Sequence, residues 1–143
     1  MEIIKKILCG STYFFNKFKD FKSKDIDELI IVDKGNGFNF VKQVSLEGNC
    51  RFYVVKNSDI LDYTISNSKV PPMAMCKFLI PEFNKEFNIT IEDIKKLSSV
   101  ADRLDDKHKY LKTIYNSYIE NNDFVLTDEQ LNAAYEVYKK YRN

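Results

Sequence analysis

The chain has 143 residues, 44% of them hydrophobic and 30% charged, with a formal net charge of +1. That length and balance suit a soluble globular protein with its own core, and they give no footing to a protein that coats nucleic acid through bulk positive charge. Three cysteines without a Cys-x-x-Cys pair, and a single histidine, argue against a zinc knuckle or a disulfide framework and for a reducing cytoplasm.

No apolar run approaches the roughly 18 residues that cross a bilayer, so no membrane partner is expected. Met1 to Leu8 is too short and too charged for a signal peptide. It reads instead as a strand running into Gly10-Ser11. Thr12 to Phe21 then places Phe14, Phe15, Phe18 and Phe21 at helical spacing. That aromatic stripe reads as core rather than as a platform for stacking bases. Lys19, Lys22 and Lys24 follow close to the Gly-Ser bend, where they either face a phosphate or form a solvated basic loop.

Asp25 to Val32 reads as a strand opening on two acids one residue apart. Asp33-Lys34-Gly35-Asn36-Gly37 is a turn signal, and Phe38 to Val44 alternates as a second strand, close enough for a hairpin. A further turn around Gly48 leads to a strand over Cys50 to Val55. Asn57-Ser58-Asp59 is a helix-start cluster, with a short helix expected to Ser66. Val70-Pro71-Pro72 opens a new element. The residues Met73 to Ile80 are apolar nearly all round and should be buried, and Pro81 should end or kink that piece.

The rest is helical. Thr90 and Asp93 form a capping box. The apolar stripe from Ile91 to Tyr118 is one helix or two, broken near Asp105-Asp106. Thr127 and Gln130 form a second capping box ahead of Leu131, Ala134, Tyr135 and Tyr138. The expected fold is therefore α/β in the α+β sense. A small mixed sheet carries helices packed on it, and the C-terminal half is helical. Residues 1–66 form the α/β core, and residues 67–143 form a helical part packed on it as one compact unit.

The chemistry concentrates at the start. Residues two apart on a strand point to one face, so Asp25 and Asp27 should aim their carboxylates together. Adjacent anions repel, and hard divalent cations such as Mg²⁺ relieve that repulsion. Ser11 and the amides after Gly10 would sit at a helix start, which favours a phosphate. Together these are the minimum equipment for phosphoryl or nucleotidyl transfer. Leu8-Cys9-Gly10-Ser11, then Asp25-Ile26-Asp27, then Leu29-Ile30-Ile31-Val32 resembles the mark of the DNA polymerase β-like nucleotidyltransferases, in particular the small stand-alone members.

That resemblance covers roughly residues 3–56. It implies a metal-dependent enzyme moving a nucleotidyl group from a nucleoside triphosphate such as ATP to a hydroxyl acceptor on a protein, RNA or small molecule. It assigns Asp25 and Asp27 to catalysis and to Mg²⁺, and Gly10 and Ser11 to the triphosphate. The family usually carries a third acid on a later strand. The strand over Cys50 to Val55 has none, with Glu47 just before it and Asp59 just after. Two other readings stand beside this one. The first is a catalytically impaired nucleotide-binding or antitoxin-like module of the same fold. The second takes Arg103 and His108, whose spacing resembles that of the HEPN ribonucleases, as a pair that cuts RNA.

Overall fold

A computed structural model describes residues 1–22, 25–56, 58–69 and 71–142. Its fold is α+β: a four-stranded mixed sheet and, among the described residues, seven α-helices. The chain divides into two compact units, Met1–Tyr63 and Thr64–Asn143.

The first unit holds the sheet. Strand β1 is Ile3–Cys9, β2 is Asp27–Val32, β3 is Val41–Leu46 and β4 is Asn49–Val55. Their spatial order is β1-β2-β4-β3. β1 runs antiparallel to β2, β2 parallel to β4, and β3 antiparallel to β4. β2 is therefore a central strand, and it reads as a continuous apolar run because both of its faces are covered from Leu29 to Val32. On one face Ile7, Cys9, Leu29, Ile31, Cys50, Phe52 and Val54 are all buried. Asp33 locks the far end, accepting from the backbone N–H of Glu2 at 2.7 Å and of Lys34 at 2.8 Å. The Glu2 bond above all holds the Asp33 carboxyl below its ordinary range.

Three local expectations change. The helix after Gly10, α1, covers only Ser11–Phe15. Beyond it the chain continues as tight turns, with Phe18 N–H on the Phe15 carbonyl at 3.0 Å and Phe21 N–H on the Phe18 carbonyl at 3.1 Å. Aromatic, Asn and Asp residues are mediocre helix formers, and the turns still hold Phe15 within 6.2 Å of Phe18 and 6.1 Å of Phe21, centroid to centroid. Phe38 and Phe40 precede β3 instead of belonging to it. Phe38 lies against Tyr53, and Phe40 stacks on Tyr63 at 4.7 Å. β2 and β3 form no hairpin, because β4 pairs between them. The hairpin is β3–β4, turned by Glu47 and Gly48, both at positive φ.

Helix α2, Ile60–Ser66, spans the division between the units. Asn57 of its expected start cluster lies outside the described residues, as does Val70 ahead of the proline pair. In the second unit, α3 is Pro72–Cys76 and α4 is Pro81–Glu86. As expected, the apolar piece ends ahead of Pro81, at an extended Ile80; Pro81 then opens α4, a position where its missing N–H costs nothing. The segment between is buried throughout, Lys77 included. Its ammonium donates to the Ala74 carbonyl at 2.5 Å and sits 4.3 Å over the Phe78 ring. Helices α5, Ile91–Ala101, and α7, Asp128–Lys140, each start on the expected capping box. α6, Lys109–Asn121, packs against both. A 3₁₀ turn over Asp106–His108 separates α5 from α6.

The α6 tyrosines belong to this core. Tyr115 donates its hydroxyl to the Met75 carbonyl at 2.6 Å, and Tyr118 to the Leu79 carbonyl at 2.8 Å. Burial drives the Tyr115 phenol well above its ordinary pKa, so it remains a donor across the working pH range. Tyr115→Phe leaves the buried Met75 carbonyl unpaired and should cost about 1–3 kcal/mol. Urea unfolding reads this directly, and a change below about 0.5 kcal/mol would show that the bond is not a structural one.

Candidate active site at the Gly10 end of the sheet

Strand directions bring the notable residues to one end of the sheet. β1 ends where β2 and β4 begin, because β1 opposes β2 and β4 runs with it. Cys9, Asp27 and Cys50 are register partners across the three strands. Register partners share a face, so all three lie on the face that Leu29 and Phe52 occupy further in.

Gly10 comes immediately after β1, at φ 76° and ψ −160°. That region is in practice open to glycine only. There is a second reason for glycine. A Cβ on residue 10 would lie 2.6 Å from an Asp27 carboxylate oxygen. The bend and the aspartate are therefore in direct contact. Ser11 and Thr12 open α1 beside that carboxylate, and the Gly10 carbonyl accepts from Tyr13 N–H at 3.2 Å.

Asp25 precedes β2 rather than standing within it. The ladder stops at Asp27: Cys50 N–H donates to the Ile26 carbonyl at 3.2 Å as part of the Asp27–Cys50 pair, and Ile26 N–H turns to the Asn49 side chain at 2.9 Å. The two carboxylates lean toward different neighbours. Asp27 lies on Gly10, toward β1. Asp25 lies on Gly48, toward the β3–β4 turn, where a Cβ would come 2.6 Å from its oxygen. Gly48 sits at φ 90° and is the residue that sequence reasoning missed as a partner of the acid pair. Its signal was the turn itself, which says nothing of the strand beside it.

The third carboxylate is not supplied by either expected residue. Among the described residues, no three Asp, Glu, His or Cys side chains gather closely enough to hold a metal ion. Asp59 follows the C-terminal end of β4, the opposite end of the sheet. Glu47 lies exposed in the β3–β4 turn. The β4 residue beside Asp27 on the same face is Cys50. Burial pushes its thiol up, and the negative charge of Asp27 pushes it further. Lys24, one of the three lysines expected near the phosphate, lies outside the described residues; Lys22 is exposed.

Mg²⁺ typically takes one or two protein carboxylates and fills its remaining positions with water and substrate phosphates. Asp25 and Asp27 are hard oxygen donors of the kind that ion takes, and they lean on different glycines, Gly48 and Gly10. They would not by themselves make the closed carboxylate cage of a structural Ca²⁺ site.

Arg103 and His108 have other partners. The Arg103 guanidinium reaches the Asn67 carbonyl at 3.5 Å, and His108 Nδ1 pairs with Asp105 at 2.5 Å across the 3₁₀ turn. That pairing holds the Asp105 carboxyl below its ordinary range. Its stabilisation is present at neutral pH and is lost as the pH falls through the lowered carboxyl value. No helix of the described residues is long and apolar enough to cross a membrane. Comparison of the chain with protein-family models, with curated proteins and with solved structures finds no match.

The contact at Gly10 makes a separable prediction. Gly10→Ala adds backbone strain and a clash with Asp27, and should destabilise the protein by about 1–3 kcal/mol. Trimming the aspartate removes the clash but not the strain. The double variant Gly10→Ala/Asp27→Ala should therefore fall short of the summed single effects by at least about 0.5 kcal/mol. Strict additivity in denaturant titrations would mean that the two residues do not touch.

Proposed function

We propose that the chain is a metal-dependent nucleotidyltransferase. It would move a nucleotidyl group from a nucleoside triphosphate such as ATP to a hydroxyl acceptor on a protein, an RNA or a small molecule. The observation that carries the reading is the packing of the Asp27 carboxylate on Gly10, with Asp25, two residues earlier, lying on Gly48. It sets hard oxygen ligands beside a bend whose following amides, on Ser11 and Thr12, begin a helix and lack earlier carbonyl partners within it. Mg²⁺, when bound, supplies charge neutralisation at the phosphates and a fixed orientation for in-line displacement.

The residues of this chain have defined tasks in that reaction. Asp25 and Asp27 hold the ion. Gly10 makes room for the Asp27 carboxylate at the bend, and Ser11 offers a hydroxyl and an amide as donors to the phosphates. The acceptor oxygen forms the new bond to the α-phosphorus as the bond to pyrophosphate breaks. The acceptor's proton must leave as well. Cys50, where a carboxylate would be useful, is a thiol held protonated and cannot serve as base near neutral pH.

Cys50 also favours a second reading of the same site: a module that binds a nucleoside triphosphate and turns it over slowly or not at all. The two readings share Asp25, Asp27, Gly10 and Ser11 and part at the transfer step.

Two measurements follow. Mg²⁺ with a nucleoside triphosphate should raise the melting temperature, and Asp25→Asn/Asp27→Asn should abolish the rise while leaving the unliganded protein folded. A rise that survives the double substitution would place the ligand elsewhere. With α-³²P-labelled triphosphate and total cell protein and RNA as acceptors, the enzyme reading predicts label in acid-precipitable material. It also predicts that Cys50→Asp raises the initial rate by about 10²-fold or more. Binding without label in either form supports the second reading.

A further inference from the structure

The face of the sheet opposite the carboxylates is only half covered. At the far end Ile30 and Val32 are fully buried, beneath elements that include Phe38 beside Tyr53 and Phe40 stacked on Tyr63. At the Gly10 end the same face is open. Leu8, Glu28, Arg51 and Val44 form one row across all four strands. Asn49 and Leu46 continue the next row, with Ile26 beside Asn49. Leu8 is 39% exposed, Ile26 56% and Leu46 47%. Four apolar side chains thus surround one ion pair, Arg51 Nε to Glu28 at 3.6 Å, itself part-exposed. With strands about 4.8 Å apart, the patch is about 14 Å wide.

We propose that this face is the interface of a two-fold homodimer. Charge decides the occupant. The centre of the patch carries one acid and one base side by side, so a partner of a single sign meets repulsion from one of them. A second copy turned by a two-fold axis sets Glu28 of each copy against Arg51 of the other, and the apolar rims coincide. The sheet edges offer no competing route. β1 carries Lys5 and Lys6 and a register shift between Ile3 and Lys5, and β3 carries Lys42, all devices that disfavour edge-to-edge pairing. The patch is small, so the dimer is weak and reversible. It also leaves the carboxylate face open, and the proposal stands apart from any catalytic reading.

Sedimentation equilibrium of the full chain under reducing conditions, from about 1 μM to about 1 mM, tests it. The expected result is a monomer–dimer equilibrium within that range. Arg51→Glu places two acids at the centre and should weaken the dimer at least about tenfold. The exchanged pair Glu28→Arg/Arg51→Glu should restore it. Leu46→Asp, on an exposed turn-side position, should weaken it by a similar factor with an unchanged melting temperature, and it decides the matter if the charge variants do not fold. A monomer at every concentration, open-ended association, or a dimer indifferent to both Leu46→Asp and Arg51→Glu would overturn the proposal.

Discussion

Asp27 can lie where it does only because residue 10 has no side chain. The carboxylate oxygen occupies the space a Cβ would need, and the backbone there adopts a conformation that glycine alone tolerates readily. Much follows from that contact. It fixes where β1 stops, starts α1 on the next residue and sets the end of β2 against the end of β1. The parallel β2–β4 register then carries the constraint across, bringing Cys50 beside Asp27 and the Gly48 turn beside Asp25. Each carboxylate at this sheet end lies on one glycine, Asp27 on Gly10 and Asp25 on Gly48, and position is what the proposed metal–phosphate site would require before chemistry.

Electrostatics at that end are asymmetric. The two carboxylates lean on different glycines, Asp27 on Gly10 and Asp25 on Gly48, no third acid gathers with them among the described residues, and burial and then the Asp27 charge push the neighbouring thiol away from ionisation. Such a site favours a divalent ion that brings water and phosphate oxygens with it over one that needs a closed protein cage. In the proposed reading it would serve for gripping a triphosphate better than for taking a proton from an acceptor. The opposite face of the same strands carries a balanced pair, Glu28 and Arg51, set among apolar side chains. The two proposals thus use opposite faces of one short stretch of β2.

Local rules made part of this legible in the sequence. Both capping boxes, the break between α5 and α6, and the strands at Ile3–Cys9 and Asn49–Val55 follow from spacing within a few residues. What the sequence did not disclose depended on distant partners. The Phe38–Phe40 segment alternates like a strand, yet its rings cover Tyr53 and Tyr63, and no local pattern says which neighbour an aromatic will find. The insertion of β4 between β2 and β3 is a long-range choice that hairpin length does not encode. Gly48 looked like a turn residue and nothing more. Lys77, a lysine inside an apolar run, is buried because a carbonyl and a ring are supplied to it by the same short helical segment. Pro81 shows the same ambiguity in reverse, since proline ends one element and begins another under identical local constraints.

The most direct test of the central claim is where a paramagnetic ion sits. Mn²⁺ added at substoichiometric levels with a non-hydrolysable nucleoside triphosphate broadens amide resonances near it in a ¹H–¹⁵N spectrum. The account predicts broadening centred on Gly10, Ser11, Asp25, Ile26, Asp27 and Gly48. Broadening centred elsewhere, or none when the triphosphate is saturating, would contradict it.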